Sequence, residues 1–452
     1  MTVAAGRDEE WFVPWRVEPD GDAQLQQRLD QAVAAGEWLW LTSAQAADGR
    51  AVDGRAVDGR IGQMGDGAPT PPPQDLVMGR QGGRPGGVVL ASGGSQGGRS
   101  WCLQPWDHLD QSAAACGRWL EPLGVDPAQT LLLNPLPADH ISGLMPLWRS
   151  RLWGAEHRRL SSALMKQPQA LRATCQRWPG WGRKPALVSL VPTQLKRLMD
   201  HPDGVAWLQQ LALVWVGGAG LPASLAERAR RLGLPLSPCY GSTETAAMVA
   251  AQTPDRFLQG EDGCGAALDD VALAVDAAGV LRVRTARLAQ ARWRHGRWAS
   301  LADTEGWWQT GDAAELAPQA AGGARLTIQG RMDGAIHSGG ETVFPEQLAQ
   351  RLMHQAHGLG LPLETVLLLP VASEEWGQRL VALVKQQQGG DEAMPWPQLQ
   401  AALVGISRQW MPAERPCAWY RCQELETTAA GKWQLARWHA WVVAQSQGNA
   451  DG

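Results

Sequence analysis

Four short segments and one lysine hold the residue types from which a catalytic site could be built. The chain has only five lysines among its 452 residues, so a lysine here is not default surface filler. Lys432 follows Gly431 in the small-residue run Thr427-Thr428-Ala429-Ala430-Gly431-Lys432. Such a turn presents a compact ammonium on a flexible stem, which arginine's planar fork would do differently. An isolated Gly-Lys is ordinarily a solvated loop. Lys432 gains weight from what precedes it.

The first upstream segment, residues 92–99, reads Ser92-Gly93-Gly94-Ser95-Gln96-Gly97-Gly98-Arg99 and follows a short apolar run. Its glycines let backbone amides approach an anion, its hydroxyls add donors and Arg99 adds charge. It lacks the Gly-Lys-Ser/Thr ending of a Walker loop. The second is Tyr240-Gly241-Ser242-Thr243-Glu244-Thr245. A hydroxyl and a carboxylate side by side at a turn can hold a phosphate oxygen and a magnesium ion. A helix cap by Ser242 or Thr243 explains the same residues. The third is Gln309-Thr310-Gly311-Asp312, a Gly-Asp turn whose carboxylate could accept from two vicinal hydroxyls of a ribose. The fourth, residues 330–346, keeps glycines, the pair Arg331 and Asp333, and Pro345-Glu346 close together.

Composition bounds what these segments can serve. At 48.8 kDa the chain is long enough for two or more domains. A net charge of −4 gives no reason to expect a nucleic-acid partner. No apolar stretch reaches the roughly 20 residues that span a bilayer, and residues 1–15 lack a signal-peptide pattern. The seven scattered cysteines suit reduced thiols in a cytoplasm better than a zinc site or a disulfide framework. Tryptophan is abundant (24) while phenylalanine (3) and tyrosine (2) are scarce. Tyr240 and Phe344 nevertheless fall inside two of the four segments.

The elements that must position these residues read as follows. Residues 1–45 suggest an amphipathic helix, with Leu25, Leu29 and Val33 at helical spacing, and loop. Residues 46–87, with a tandem Ala-Val-Asp-Gly-Arg and three consecutive prolines, read as an exposed flexible insertion. Apolar runs at 131–133, 186–191 and 211–216 alternate with helical patterns at 109–120, 193–200 and 223–232. That alternation predicts an α/β fold with a parallel sheet covered by helices, whose functional loops lie at the strands' carboxyl ends. Beyond about residue 265 the runs at 271–275, 280–285 and 325–329 look shorter and antiparallel, a small barrel-like β part. A boundary near 332 divides a large domain, 1–332, from a small α+β domain, 333–452.

In this order the segments resemble the adenylate-forming acyl- and aryl-CoA synthetases, over residues 88–440. Finer features resemble the o-succinylbenzoate–CoA ligase branch: residues 188–195, residues 140–144 and residues 336–341. The resemblance implies a two-step reaction. A carboxylate attacks the α-phosphate of ATP and pyrophosphate leaves; coenzyme A then displaces AMP, in menaquinone or phylloquinone synthesis.

It also implies roles. Lys432 neutralises charge during adenylation, Thr243 touches phosphate and Glu244 holds Mg2+. Ser92, Gly93, Gly94, Ser95, Gly97 and Arg99 close over the β,γ-phosphates. Gly218, Ala219, Tyr240 and Gly241 flank adenine, and Asp312 with Arg331 takes the ribose. Asp333 is the hinge of a mobile lid, Gly339 and Gly340 line the pantetheine path, and His140, Ser142 and Thr193 shape the aryl-acid pocket. The implied partners are the small-molecule acid, ATP and CoA, with no nucleic acid and no membrane span; a homodimer is left open. The sequence departs from the family's phosphate loop at Gly94, Gln96, Gly98 and Arg99, where threonine-type, glycine, proline and lysine residues are usual, and Glu426 stands where proline is common.

Overall fold

A computed structural model describes residues 12–17, 22–43, 85–92, 100–294, 296–319, 323–338, 341–373, 376–387, 394–427 and 433–448. The chain divides into two compact units. One comprises residues 1–221, 227–310 and 315–327; the other comprises 222–226, 311–314 and 328–452.

In the first unit the expected parallel sheet is present. Strands Leu236–Ser242, Leu213–Val216, Ala186–Leu190, Leu131–Asn134 and Glu156–Arg159 lie side by side in that order, every pair parallel. The inner strands are apolar and buried along their length, as strands covered on both faces must be. The sheet extends to eleven strands through Ala247–Ala251 and shorter, mainly antiparallel strands between residues 266 and 331. Helices Trp106–Leu120, Pro192–Met199 and Ala223–Arg231 occupy the predicted helical patterns. In the first of them Trp106, Leu109, Ala113, Cys116 and Leu120 recur on one buried face. Its Trp106 stacks on Trp148 of helix Ile141–Trp153, centroids 5.2 Å apart and planes 5° apart.

A second sheet of six strands departs from expectation. Phe12–Val17 and Trp38–Ser43 are strands, where helix and loop were expected, and they flank the expected helix Asp22–Ala35. Both pair in parallel, the second with Gly87–Ser92. Pro14 is tolerated because Phe12–Val17 is an edge strand, where a missing amide costs no ladder bond. Strand Gly87–Ser92 begins where the apolar run of the sequence begins; residues 44–84 lie outside the described residues. Strands Ser100–Pro105, Ala291–Arg294 and Arg297–Ser300 complete it, all antiparallel.

The second unit contains a five-stranded sheet built on the long hairpin Leu363–Ser373 and Gly377–Gln386. Helices Pro345–Gly358 and Trp396–Ser407 bury Leu348, Leu352, Leu399 and Leu403 into one core with it. All seven cysteines are free thiols. Among the described residues no helix is long and apolar enough to cross a membrane.

Candidate active site

Four neighbouring parallel strands release their carboxyl ends into loops that carry sequence-predicted residues. Leu131–Asn134 leads to His140 and Ser142, Ala186–Leu190 to Thr193, Leu213–Val216 to Gly218 and Ala219, and Leu236–Ser242 contains Tyr240 and Gly241. The loops touch one another: the Gly217 amide donates to Leu190 O at 3.2 Å. His140, Ser142, Thr193, Gly218 and Ala219 are exposed, whereas Thr243 and Glu244 are buried. His140 Nε2 lies 3.8 Å from Asp139. Behind this rim Asn134 donates to Gly143 O at 2.8 Å, and its amide nitrogen lies 3.2 Å from His157 Nε2. Burial first, then Arg159 and Arg158, holds the His157 imidazole down to about 4, which keeps it neutral here.

The most constrained backbone of the unit follows Ser242. Thr243–Thr245 makes a single 3₁₀ turn, after which Ala246 (φ 49°) and Ala247 (φ 77°) are left-handed in succession. They are the only non-glycine residues with positive φ among those described. Such a residue costs roughly 1–2 kcal/mol, so the surroundings must impose it. They do. Gln104 Nε2 donates to Thr243 O at 2.6 Å, the Ala289 amide to Glu244 O at 2.7 Å and Ser112 Oγ to Ala246 O at 2.5 Å. Arg287 donates to Thr245 O at 2.6 Å and to Met248 O at 2.9 Å. The Arg287 side chain is 0% exposed and is neutralised by Asp270, Nε to Oδ2 at 2.6 Å. Gly241 is obligatory here, because a Cβ would stand 2.1 Å from Ala247 O.

This frame holds the Glu244 carboxylate, itself 6% exposed. Ser92 Oγ donates to its Oε1 at 2.6 Å, and Arg292 Nη1 lies 3.7 Å from the same oxygen. Cys102, opposite both Leu90 and Arg292 in the six-stranded sheet, completes the surroundings. Its thiol is pushed well above the usual range by burial and then by the Glu244 charge, so it stays protonated. Sequence reasoning found Ser92, Thr243 and Glu244 but missed Gln104, Ser112, Arg287 and Arg292. Arg287 lies 42 residues from the carbonyl of Thr245, and Gln104 lies 139 from that of Thr243. No local spacing signals such partners.

In the second unit Arg331 Nη1 approaches Asp312 Oδ1 at 3.1 Å. Gly311 has φ 80°, and a Cβ there would meet Arg331 Nη2 at 3.2 Å. Asp333 sits in the one-turn 3₁₀ helix Met332–Gly334 directly after Arg331. Gly93, Gly94, Ser95, Gly97, Arg99, Gly339, Gly340 and Lys432 lie outside the described residues.

Comparison with known proteins bears on the part of the chain that carries the Glu244 turn. Residues 99–283 match the family profile "AMP-binding enzyme". Over 300 residues the chain is 33% identical to the 2-succinylbenzoate–CoA ligase of Salmonella typhimurium, covering 65% of this chain and 58% of that protein. The chain thus spans under three fifths of that relative's length. The structure of wild-type E. coli MenE with a bound m-phenylether-linked analogue of OSB-AMS aligns with TM-score 0.57 and 26% identity. It covers 79% of this chain and 69% of that one. The o-succinylbenzoate CoA synthetase of Bacillus subtilis, in complex with its acyl-adenylate intermediate, aligns with TM-score 0.66 over 95% of this chain and 88% of that one. At 16% identity that match shows the shared fold.

Proposed function

We propose that this chain is an ATP-dependent o-succinylbenzoate–CoA ligase. It adenylates the acid with release of pyrophosphate and then transfers the acyl group to coenzyme A with release of AMP, in the cytoplasm and on the way to menaquinone or phylloquinone. The observation that carries the reading is the Glu244 turn. A buried carboxylate is held on strained backbone beside the carboxyl ends of a parallel sheet, in a segment that matches the AMP-binding enzyme profile. The 33% identity to a ligase of this acid supports the choice of substrate.

The residues present fit the implied magnesium. Among the described residues no cluster of three or more metal-binding side chains exists. Mg2+ needs none, because it commonly takes one or two carboxylates and completes its shell with water and substrate phosphates. Glu244 is that carboxylate, and the bound ion supplies positive charge to the phosphates. Ser92 fixes the orientation of Glu244, and Thr243, on the same turn, supplies a phosphate contact. Tyr240, Gly241, Gly218 and Ala219 flank the adenine, Asp312 and Arg331 hold the ribose, and His140, Ser142 and Thr193 border the acid. Residues 93–99 cover the β,γ-phosphates, Asp333 is the hinge of the lid formed by residues 333–452, and Gly339 with Gly340 leave room for pantetheine. Lys432 balances charge gathering between carboxylate and α-phosphate, a preorganised electrostatic effect.

The test is turnover of o-succinylbenzoate against benzoates and fatty acids, with CoA as acceptor and pyrophosphate release as readout. Preference for another acid would reassign the substrate and leave the ligase chemistry; no acid-dependent pyrophosphate would remove both. Lys432→Ala should abolish adenylation yet leave thioester formation from supplied acyl-adenylate largely intact. Equal loss in both half-reactions would contradict its role.

A further inference from the structure

Two arginines are buried among the described residues, Arg149 and Arg287. Arg287 is balanced by Asp270. Arg149, 4% exposed on helix Ile141–Trp153, has no carboxylate of a described residue within ion-pair distance. Its Nη2 donates instead to Cys116 Sγ at 3.2 Å. Its guanidinium also lies 4.9 Å from the ring centroid of Trp215, which is 3% exposed on strand Leu213–Val216. The packing around them is apolar. Cys116, Leu120, Leu132, Leu187 and Trp215 share one core, and Trp119 approaches Trp215 with centroids 6.3 Å apart.

Arginine keeps its proton in a protein, so Arg149 is a full positive charge in surroundings that solvate it poorly. The ring face of Trp215 answers part of that charge. A charged group is ordinarily buried only with an opposite charge against it. The Cys239 thiol does not supply one, because burial and then Cys264 push it up to about 12 against the pull of Arg149. A second observation points the same way. Arg149 Nε and Trp215 Nε1 are both buried N–H donors without an acceptor in the protein. Buried donors are nearly always satisfied, so two of them on touching side chains call for a group that accepts from both.

We propose that Arg149 and Trp215 bind a single-atom anion, chloride, in the core of the first unit. The inference is independent of the ligase reading. A halide accepts N–H bonds from any direction and brings the missing charge; a water would satisfy the donors and leave the guanidinium unbalanced. The ion joins the helix that contains Ser142 to the strand that leads to Gly218.

The experiment is thermal unfolding of the full chain in sodium chloride and in sodium gluconate, an anion too large for the core, at one ionic strength. The wild-type midpoint should rise by about 2 °C or more per tenfold increase in chloride above its dissociation constant, because a ligand held only by the folded state stabilises it. Arg149→Met should lose that dependence. Trp215→Phe, which keeps a ring and removes one donor, should need roughly tenfold more chloride for the same rise. Should Arg149→Met fail to fold, the wild type and Trp215→Phe still decide. In crystals grown with bromide, anomalous diffraction should place one peak within hydrogen-bond reach of both nitrogens. A wild-type midpoint that does not distinguish chloride from gluconate means that the guanidinium is balanced within the protein, and overturns the proposal. Chloride dependence undiminished in either variant, or a bromide peak only elsewhere, overturns it as well.

Discussion

Arg287 and Arg331 each pair with an aspartate, yet they stand in opposite physical regimes. Arg287 is fully buried, its partner Asp270 is 22% exposed, and its remaining donors go to backbone carbonyls of the Glu244 turn. Arg331 is 43% exposed, and its Nη1 lies 3.1 Å from Oδ1 of Asp312, which is 14% exposed. A buried pair of that kind is strongly coupled to its surroundings, because removing one partner strands a charge. The Arg331 end of the other pair lies largely in water, which screens it and lowers its worth toward the roughly 0–1 kcal/mol of surface pairs. One arginine fixes backbone geometry from inside the core; the other pairs with an aspartate while its own side chain stays largely in water.

Substitutions can break or sharpen that contrast. The largest effect is expected at the group the rigid frame exists to hold. Glu244→Gln should lower the adenylation rate roughly 10²–10³-fold with little change in the unfolding midpoint. A variant within a factor of two of wild type would empty the frame of purpose. Next comes Arg287→Met, expected to destabilise the first unit by about 3 kcal/mol, the low end for a broken buried pair because Asp270 retains some water. Denaturant unfolding measures this, and stability unchanged within error would show that the carbonyls find other donors. Gly311→Ala should cost about 1–2 kcal/mol, since φ 80° is unfavourable for a side chain and the new methyl presses on Arg331. If that variant unfolds like wild type, the turn has more freedom than its geometry implies. The smallest effect on stability belongs to Arg331→Ala, under about 1 kcal/mol, with a raised KM for ATP as its signature. A large stability loss there would erase the distinction between the two pairs.

How much of this was legible beforehand follows from which forces act locally. The strands at 131–134, 186–190 and 213–216 could be read because burial on both faces demands continuous apolar runs. The strand at 12–17 could not, since Pro14 and Arg16 interrupt any strand signal and its place at a sheet edge permits both. Ser92, Thr243, Glu244 and Asp312 stood out as polar residues at glycine-bearing turns. Gln104, Ser112 and Arg287 did not, because their worth lies in carbonyls that meet them only after the sheets assemble. Motifs mark the groups that face a ligand; the partners that hold a motif in shape are chosen by topology.

The parallel contact between Trp106 and Trp148 has an optical consequence. Two stacked indoles 5.2 Å apart with planes within 5° of parallel should couple their electronic transitions, giving near-ultraviolet dichroism that vanishes when helices Trp106–Leu120 and Ile141–Trp153 separate. The first unit therefore carries an intrinsic spectroscopic gauge of helix docking. Trp410 and Trp438, buried in the second unit, offer a separate emission signal for its own unfolding.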